Sequence, residues 1–435
     1  MLFDEELVAG RVQHTPVRRI AILSDHASPL APPGSVDSGG QNVYVAYLAR
    51  ELAQSGYLVD VFTRRDSMMH KPVVHWRENV RVIHVPAGPA HHVPKEHLLP
   101  YMDAFARFVT RFARRQDVLY DVAHANFFMS GMVAQHLKQV LGIPFVITFH
   151  ALGQVRRMAQ GAADGFPDER VSIESGLMRD ADRIIAECPQ DRQDMELLYD
   201  APGSRIDVAP CGFDPQELWP VPMRAARQRL SLPLGKFVLL QLGRIAPRKG
   251  VDTVIHSLAL LRRQYGVDAM LLVVGGESEP CDHHGTPELS RLRTLARELN
   301  VAQHVRFPGR KDRAELRYYY SAANVFVTTP WYEPFGITPV EAMACARPVV
   351  GAEVGGIKST VIDGATGFLV PPRDPDAVAG RLALLHASPE LAHNMGDEGM
   401  RRAFQHYTWR AVAQQAAAIY TSAVRQCAVT AQLSR

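Results

Sequence analysis

The stretch Lys236-Phe-Val-Leu-Leu-Gln-Leu-Gly-Arg-Ile-Ala-Pro-Arg-Lys-Gly-Val251 decides how the chain is read. Lys236–Leu242 is a near-continuous apolar run of strand length, the pattern of a strand buried on both faces. Gly243 and Gly250 bracket a short loop carrying Arg244, Arg248 and Lys249. The helical periodicity of Val251–Tyr265 follows at once. Strand, glycine-flanked loop and helix form half of a parallel βαβ unit.

The same alternation extends in both directions. Downstream, strands are predicted at Ala269–Val274, His304–Phe307, Val325–Thr328, Arg347–Val350 and Gly367–Val370, with a helix over Pro287–Leu299. Upstream, an earlier series opens at Arg18–Ser24, a helix runs Gln41–Ser55 to Gly56, and strands follow at Val59–Thr63, Val80–Val85, Asp121–Ala125, Pro144–Thr148, Arg183–Ala186 and Arg205–Ala209. Pro210, Gly212, Pro215, Pro220 and Pro222 separate the two series as a linker. The expected architecture is α/β, two doubly wound parallel sheets facing across a cleft. Its units are 1–212, a linker 213–222, a second unit 223–407 and a final helical segment 408–435. Ligands in such folds sit beyond the carboxyl ends of the strands.

Composition excludes several classes. The chain has 435 residues, 47% of them hydrophobic and 21% charged, as in soluble enzymes. Its net charge of +3, from 48 basic and 45 acidic residues, is too even for a phosphate-driven nucleic-acid binder. The cysteines Cys188, Cys211, Cys281, Cys345 and Cys427 form no CxxC pair. With no apolar leader after Met1 and no apolar run near the roughly 20 residues that span a bilayer, a reduced cytoplasmic setting is expected.

The strongest motif is Glu333-Pro-Phe-Gly-Ile-Thr-Pro-Val-Glu341. It follows a strand and opens a helix, whose free amides favour an anion such as a diphosphate. Gly336 permits close backbone approach. Glu333 on the loop and Glu341 inside the helix are carboxylates suited to sugar and ribose hydroxyls. Arg244 and Lys249, at the carboxyl end of another strand, suit a diphosphate leaving group.

Together these segments resemble the family-four retaining glycosyltransferases of the GT-B fold. In the first half, Gly34-Ser-Val-Asp-Ser-Gly-Gly-Gln-Asn-Val-Tyr-Val45 and Thr148-Phe-His150-Ala-Leu-Gly153 are similar to loops of sucrose-phosphate synthases, sucrose synthases and mycothiol-pathway inositol-phosphate N-acetylglucosaminyltransferases. The resemblance implies that Gly39 and Gly40 bring backbone to the donor diphosphate and acceptor. His150 would lie at the reaction centre, and Arg244 and Lys249 would hold the diphosphate. Glu333, Phe335 and Gly336 would bind the donor sugar, Ile337 and Thr338 the phosphates, Glu341 the ribose, and Arg310 would border the base. Arg156 and Arg157 would meet an acceptor phosphate. The implied partners are a nucleotide-sugar donor and a sugar or phosphorylated acceptor, with no cofactor and no metal. A nucleotide-sugar epimerase and a silent nucleotide-sugar-binding protein are the alternatives.

Other features have plainer readings. Asp374-Pro-Asp376 precedes a helical pattern, so an N-cap with a first-turn acid explains it. Cys281-Asp-His-His284 has no distant matching ligand pair. Over Met102–Gln116, Phe105, Phe108, Val109 and Phe112 share one helical face, and Arg107, Arg111, Arg114 and Arg115 cover much of the rest. Core packing with a solvated arginine face explains that helix as well as membrane contact does, and peripheral membrane contact is not favoured. Trp409–Gln426 reads as a final helix, and the resemblance implies that it packs back on the first unit.

Overall fold

The computed structural model describes residues 17–31, 39–276 and 286–433. The segments Gly34–Ser38 and Cys281–His284 singled out above lie outside the described residues.

The strands are β1 Arg19–Leu23, β2 Leu58–Arg64, β3 Val73–Arg77, β4 Val80–Val85, β5 Val122–Asn126, β6 Phe145–Thr148, β7 Arg183–Ala186, β8 Ile206–Val208, β9 Phe237–Leu242, β10 Ala269–Val274, β11 Val305–Gly309, β12 Val325–Thr328, β13 Val349–Ala352 and β14 Gly367–Val370. They form an eight-stranded sheet, β3-β4-β2-β1-β5-β6-β7-β8, and a six-stranded sheet, β11-β10-β9-β12-β13-β14. Ile20–Leu23 and Leu239–Leu240 are buried, so the apolar runs do become central strands covered on both faces.

One strand departs from the expected parallel pattern. β3 is antiparallel to β4 and was not legible as a strand. Its sequence, Val-Val-His-Trp-Arg, alternates between exposed and half-buried positions. Such an edge strand needs no continuous apolar run. A tight turn through Asn79, at φ 60, joins it to β4.

Sheet order fixes where ligands can bind. In the first sheet the order reverses between β1 and β5; in the second it reverses between β9 and β12. Loops leaving neighbouring strands on either side of such a point run apart and leave a crevice. In the first sheet those loops begin at Ser24 and Phe127; in the second they hold Gly243–Gly250 and Thr329–Gly336.

The helix Met102–Arg114 buries Phe105, Ala106, Val109 and Ala113. Phe108 and Phe112 are packed against the same core. Its apolar face is therefore spent on packing, and Arg107, Arg111, Arg114 and Arg115 are exposed. Among the described residues no helix is long and apolar enough to cross a membrane. Asp374 caps the helix Pro375–Ala387, its carboxylate accepting from Ala377 N at 2.9 Å.

The chain crosses between the sheets twice, and the crossings are joined. Phe213 N donates to Tyr407 O (2.8 Å) and Trp409 N to Phe213 O (3.1 Å). A Cβ on Gly212 would lie 2.8 Å from both Trp409 N and Tyr407 O, so only glycine permits this approach. The last helix, Trp409–Leu433, then packs on the helix Gly40–Gln54 and on β5, β6 and β7. Trp409 is buried and stacks on Tyr47, with centroids 5.5 Å apart and planes at 10°. Farther along, Tyr420 bonds His124 Nδ1 at 2.7 Å. Burial, with His150 adding, pushes the His124 imidazole down to about 3, so this ring is neutral at physiological pH. Trp409→Ala removes the buried ring at the crossing. It should cost about 3 kcal/mol or more, read as a lowered thermal unfolding midpoint; an unchanged midpoint would show that the crossing does not depend on the indole.

Candidate functional site

A cavity of about 320 Å³ lies between the two sheets, walled by the loops at both switch points. His150, Arg244, Lys249, Glu333, Gly39, Gly40, Arg310, Phe335, Gly336, Ile337, Thr338, Glu341 and Arg156 all line it.

The second-half wall is built by backbone contacts. A Cβ on Gly250, at φ +65, would lie 1.9 Å from Thr329 O. Glycine thus lets the Lys249 loop press against the end of β12, where the Thr329 hydroxyl donates to Gly250 O at 2.7 Å. Trp331 N donates to Arg248 O at 2.9 Å, binding the cationic loop to the Glu333 loop. From below, Gly355 and Gly356 press on Glu333 and Phe335, and Gly356 N donates to Glu333 O at 3.2 Å. Gly336, at φ 89, precedes the helix Ile337–Ala344, whose first residues, Ile337 and Thr338, line the cavity.

Lys249 Nζ contacts Glu333 Oε2 directly. Burial, with Arg248 and Arg244 adding, pushes the Lys249 ammonium down to about 8, against the pull of Glu333. Burial opposes the Glu333 charge, but Lys249, Arg248 and Arg244 outweigh it and hold the carboxyl below its usual range. This part of the wall is thus a cluster of cations around the Glu333 carboxylate, a setting that favours an added anion.

Glu341 is only 3% exposed and already engaged. Arg313 Nη2 donates to its Oε1 at 3.0 Å and the Tyr320 hydroxyl to its Oε2 at 2.7 Å. Neither partner carried a sequence signal: both lie on the helix Arg313–Ala322, remote in sequence from the motif.

On the first-half wall, a Cβ on Gly39 would lie 3.6 Å from Arg244 Cζ, and one on Gly40 would lie 3.7 Å from Ile337 Cδ1. These glycines therefore meet the opposite wall with backbone alone. His150 follows β6 at φ 58, a strained conformation for a residue with a Cβ. Its Nδ1 lies 2.9 Å from Glu187 Oε1 and its Nε2 lies 3.0 Å from Asn126 Oδ1. Tyr44 packs edge-on against the ring at 4.9 Å. The imidazole is thus fixed by neighbours at the ends of β5 and β7, which sequence reasoning missed. Their position just where strands end was the available signal.

The two arginines after the histidine loop part company. Arg156 lines the cavity, is paired with Asp164 and lies 5.0 Å from the Phe166 centroid. Arg157 is absent from the cavity lining; it donates to Pro167 O at 3.1 Å and to Asp168 Oδ1 at 2.9 Å. Neighbours on a helix point about 100° apart, so one surface takes only one of the pair. Lys95, His26 and Arg248 also line the cavity and were not expected there.

Known proteins resemble the chain along nearly its whole length. Residues 38–217 match the family described as Glycosyltransferase Family 4, and residues 223–402 match Glycosyl transferases group 1. A D-inositol 3-phosphate glycosyltransferase of Kineococcus radiotolerans is 38% identical over 94% of this chain and 96% of its own. The enzyme of that name from Corynebacterium glutamicum is 34% identical over 93% and 97%. Among solved structures, the sucrose-phosphate synthase of Thermosynechococcus elongatus superposes with a TM-score of 0.84 at 33% identity, covering 93% of this chain and 98% of that one. The Anabaena protein HepE, solved with UDP-glucose, shares the fold at a TM-score of 0.72 and 20% identity, over 91% and 97%. With both halves matched and these relatives aligned end to end, the chain belongs to the family-four glycosyltransferases of the GT-B fold.

Proposed function

We propose that the chain is a retaining transferase that moves a hexose-type sugar from a nucleoside-diphosphate donor, UDP-sugar first, to an acceptor hydroxyl of a sugar phosphate or inositol phosphate. The observation that carries this reading is the cavity wall where Arg244, Arg248, Lys249 and the amides opening Ile337–Ala344 converge opposite Gly39 and Gly40. The names of the inositol-phosphate and sucrose-phosphate relatives support a phosphorylated acceptor. On the same sequence pattern we assign the units 1–212 and 223–407, the linker 213–222, and a cytosolic setting.

The acceptor oxygen attacks the anomeric carbon on the face from which the diphosphate departs. The bond from that carbon to the phosphate oxygen breaks, and the departing oxygen takes the acceptor proton. The products are a glycoside of retained configuration and a nucleoside diphosphate. Negative charge grows on the leaving group, where Arg244, Lys249 and the helix amides at Gly336–Thr338 stabilise it. With cations of the protein in that position, the step requires no divalent metal. Glu333 accepts from donor-sugar hydroxyls, beside the backbone of Phe335 and Gly336. Glu341 retains acceptor capacity for ribose hydroxyls, since a carboxylate offers about four lone-pair sites. Arg310 borders the base. His150, locked between Glu187 and Asn126, presents its loop to the sugar at the reaction centre. Arg156, on the first-half wall with Lys95, takes the acceptor phosphate.

The direct test is a matrix of UDP-, GDP- and ADP-sugars against phosphorylated and neutral acceptors with EDTA present, following diphosphate release and product mass. A sugar–acceptor adduct of retained configuration is expected under chelation; interconversion of the donor without acceptor would instead establish epimerase chemistry. Lys249→Ala should lower kcat by about 10²–10³ while circular dichroism and the unfolding midpoint stay near wild type. Activity that survives the substitution would remove Lys249 from the leaving-group site. The Lys249 ammonium near pKa 8 also sets a pH dependence. Below pH 8 it is charged and attracts the diphosphate; above, it loses its proton. Affinity for UDP should fall by about tenfold from pH 7 to 9. Lys249→Arg, which stays charged, should flatten that slope.

A further inference from the structure

Arg313 opens the helix Arg313–Ala322 and lines the cavity beside Glu341. Its guanidinium reaches in three directions. Nη2 donates to Glu341 Oε1 at 3.0 Å, Nε donates to Glu217 Oε2 at 2.8 Å, and Cζ lies 5.2 Å from the centre of the Tyr47 ring. Glu341 belongs to the second half of the chain, Glu217 to the segment between the sheets, and Tyr47 to the helix Gly40–Gln54 of the first half.

Those partners are themselves fastened. The Tyr47 hydroxyl donates to Glu217. Arg50 lies 4.5 Å from the Tyr47 ring centre and pairs with Asp214 at 2.7 Å. Trp409 stacks on Tyr47 at the chain crossing. A guanidinium is a rigid planar fork, so two carboxylates bound to its Nη2 and Nε are held in one relative placement. Lysine, a point charge on a flexible stem, cannot impose that placement.

We propose that Arg313 is a positioning residue that aims the Glu341 carboxylate at the donor ribose by anchoring it to Glu217 of the interdomain linker. This rests on the reading of Glu341 as the ribose acceptor. Arg313 occupies one lone pair of Oε1 and Tyr320 one of Oε2, which orients the remaining acceptor sites towards the cavity. Without the Arg313 fork, Glu341 keeps its charge but loses its aim. Discrimination between ribose and deoxyribose should then suffer more than binding of the diphosphate, whose cations lie on a different loop.

Calorimetric titration of the whole chain tests this, using UDP, ADP and GDP, their 2′-deoxy counterparts, and inorganic diphosphate. Wild type should prefer the ribonucleotide of its best base by about tenfold, the worth of one hydrogen bond to a charged acceptor. Arg313→Gln should reduce that ratio to about threefold or less and leave inorganic diphosphate binding within about twofold. Arg313→Lys should fall between. Glu217→Gln, whose side chain does not line the cavity, should also reduce the ratio. If Arg313→Gln and Arg313→Lys keep the wild-type ratio, or weaken all ligands alike, Arg313 only packs and the proposal is overturned. A Glu217→Gln variant with the wild-type ratio overturns the anchoring through the linker. Should wild type bind these nucleotides with no preference for ribose, or bind none of them, the failure lies with the donor-ribose reading of Glu341.

Discussion

Two passages of the chain between the sheets lie side by side, bonded through Phe213, Tyr407 and Trp409. Everything in the cleft depends on that junction. Each sheet alone presents a crevice at its own switch point, but a crevice of this kind is one wall. The second wall stands opposite the first because the outgoing and returning segments hold the carboxyl ends of both sheets towards each other, helped by direct contacts such as Gln160 Nε2 to the Tyr332 hydroxyl at 2.6 Å and Cys188 Sγ to Pro334 O at 3.3 Å. Gly212 lets the backbones touch, and the Trp409–Tyr47 stack seals the contact with a buried aromatic pair.

Charge in the cleft is arranged around a shortage. Arg244, Arg248 and Lys249 crowd one loop, and Glu333 partly neutralises them. Burial and like charge disfavour the Lys249 ammonium, which an arriving diphosphate would relieve. Preorganised donors of this kind stabilise charge at the moment it develops without reorganising. The cost is local stability, and the structure meets it with dense backbone support. Gly250 against Thr329, and Gly355 and Gly356 against the Glu333–Phe335 backbone, leave those loops little freedom. The strained His150 backbone is fixed in the same way, with Asn126 and Glu187 gripping its ring.

Legibility in the sequence followed the range of the forces involved. The central strands were visible because burial on both faces demands continuous apolar runs, as in Phe237–Leu242. The edge strand Val73–Arg77 was hidden because it pairs with β4 alone in the sheet, only Val74 and Trp76 pack on the core, and Val73, His75 and Arg77 face water. Around the cavity, Arg244, Lys249, Glu333 and Glu341 could be picked out because they stand in loops that leave strands or in the helix such a loop opens, and His150 through the resemblance of its loop to the family's. Arg156 and Arg157 were indistinguishable as letters, and helix phase separated them. Asn126 and Glu187 also stand where strands end and Arg313 opens a helix, but these residues and Tyr320 belong to no motif, and each acts through a partner distant in the chain.

The sequence by itself determined the α/β alternation, the family, and the residue types at the strand ends, because those follow from local periodicity and from short loops of fixed chemistry. Only the tertiary structure decided that Lys249 would meet Glu333, that Arg313 would join Glu341 to Glu217, and that Trp409 would cover Tyr47. These contacts join residues separated by tens to hundreds of positions. Their geometry depends on how sheets and crossings pack, and no local pattern encodes that distance.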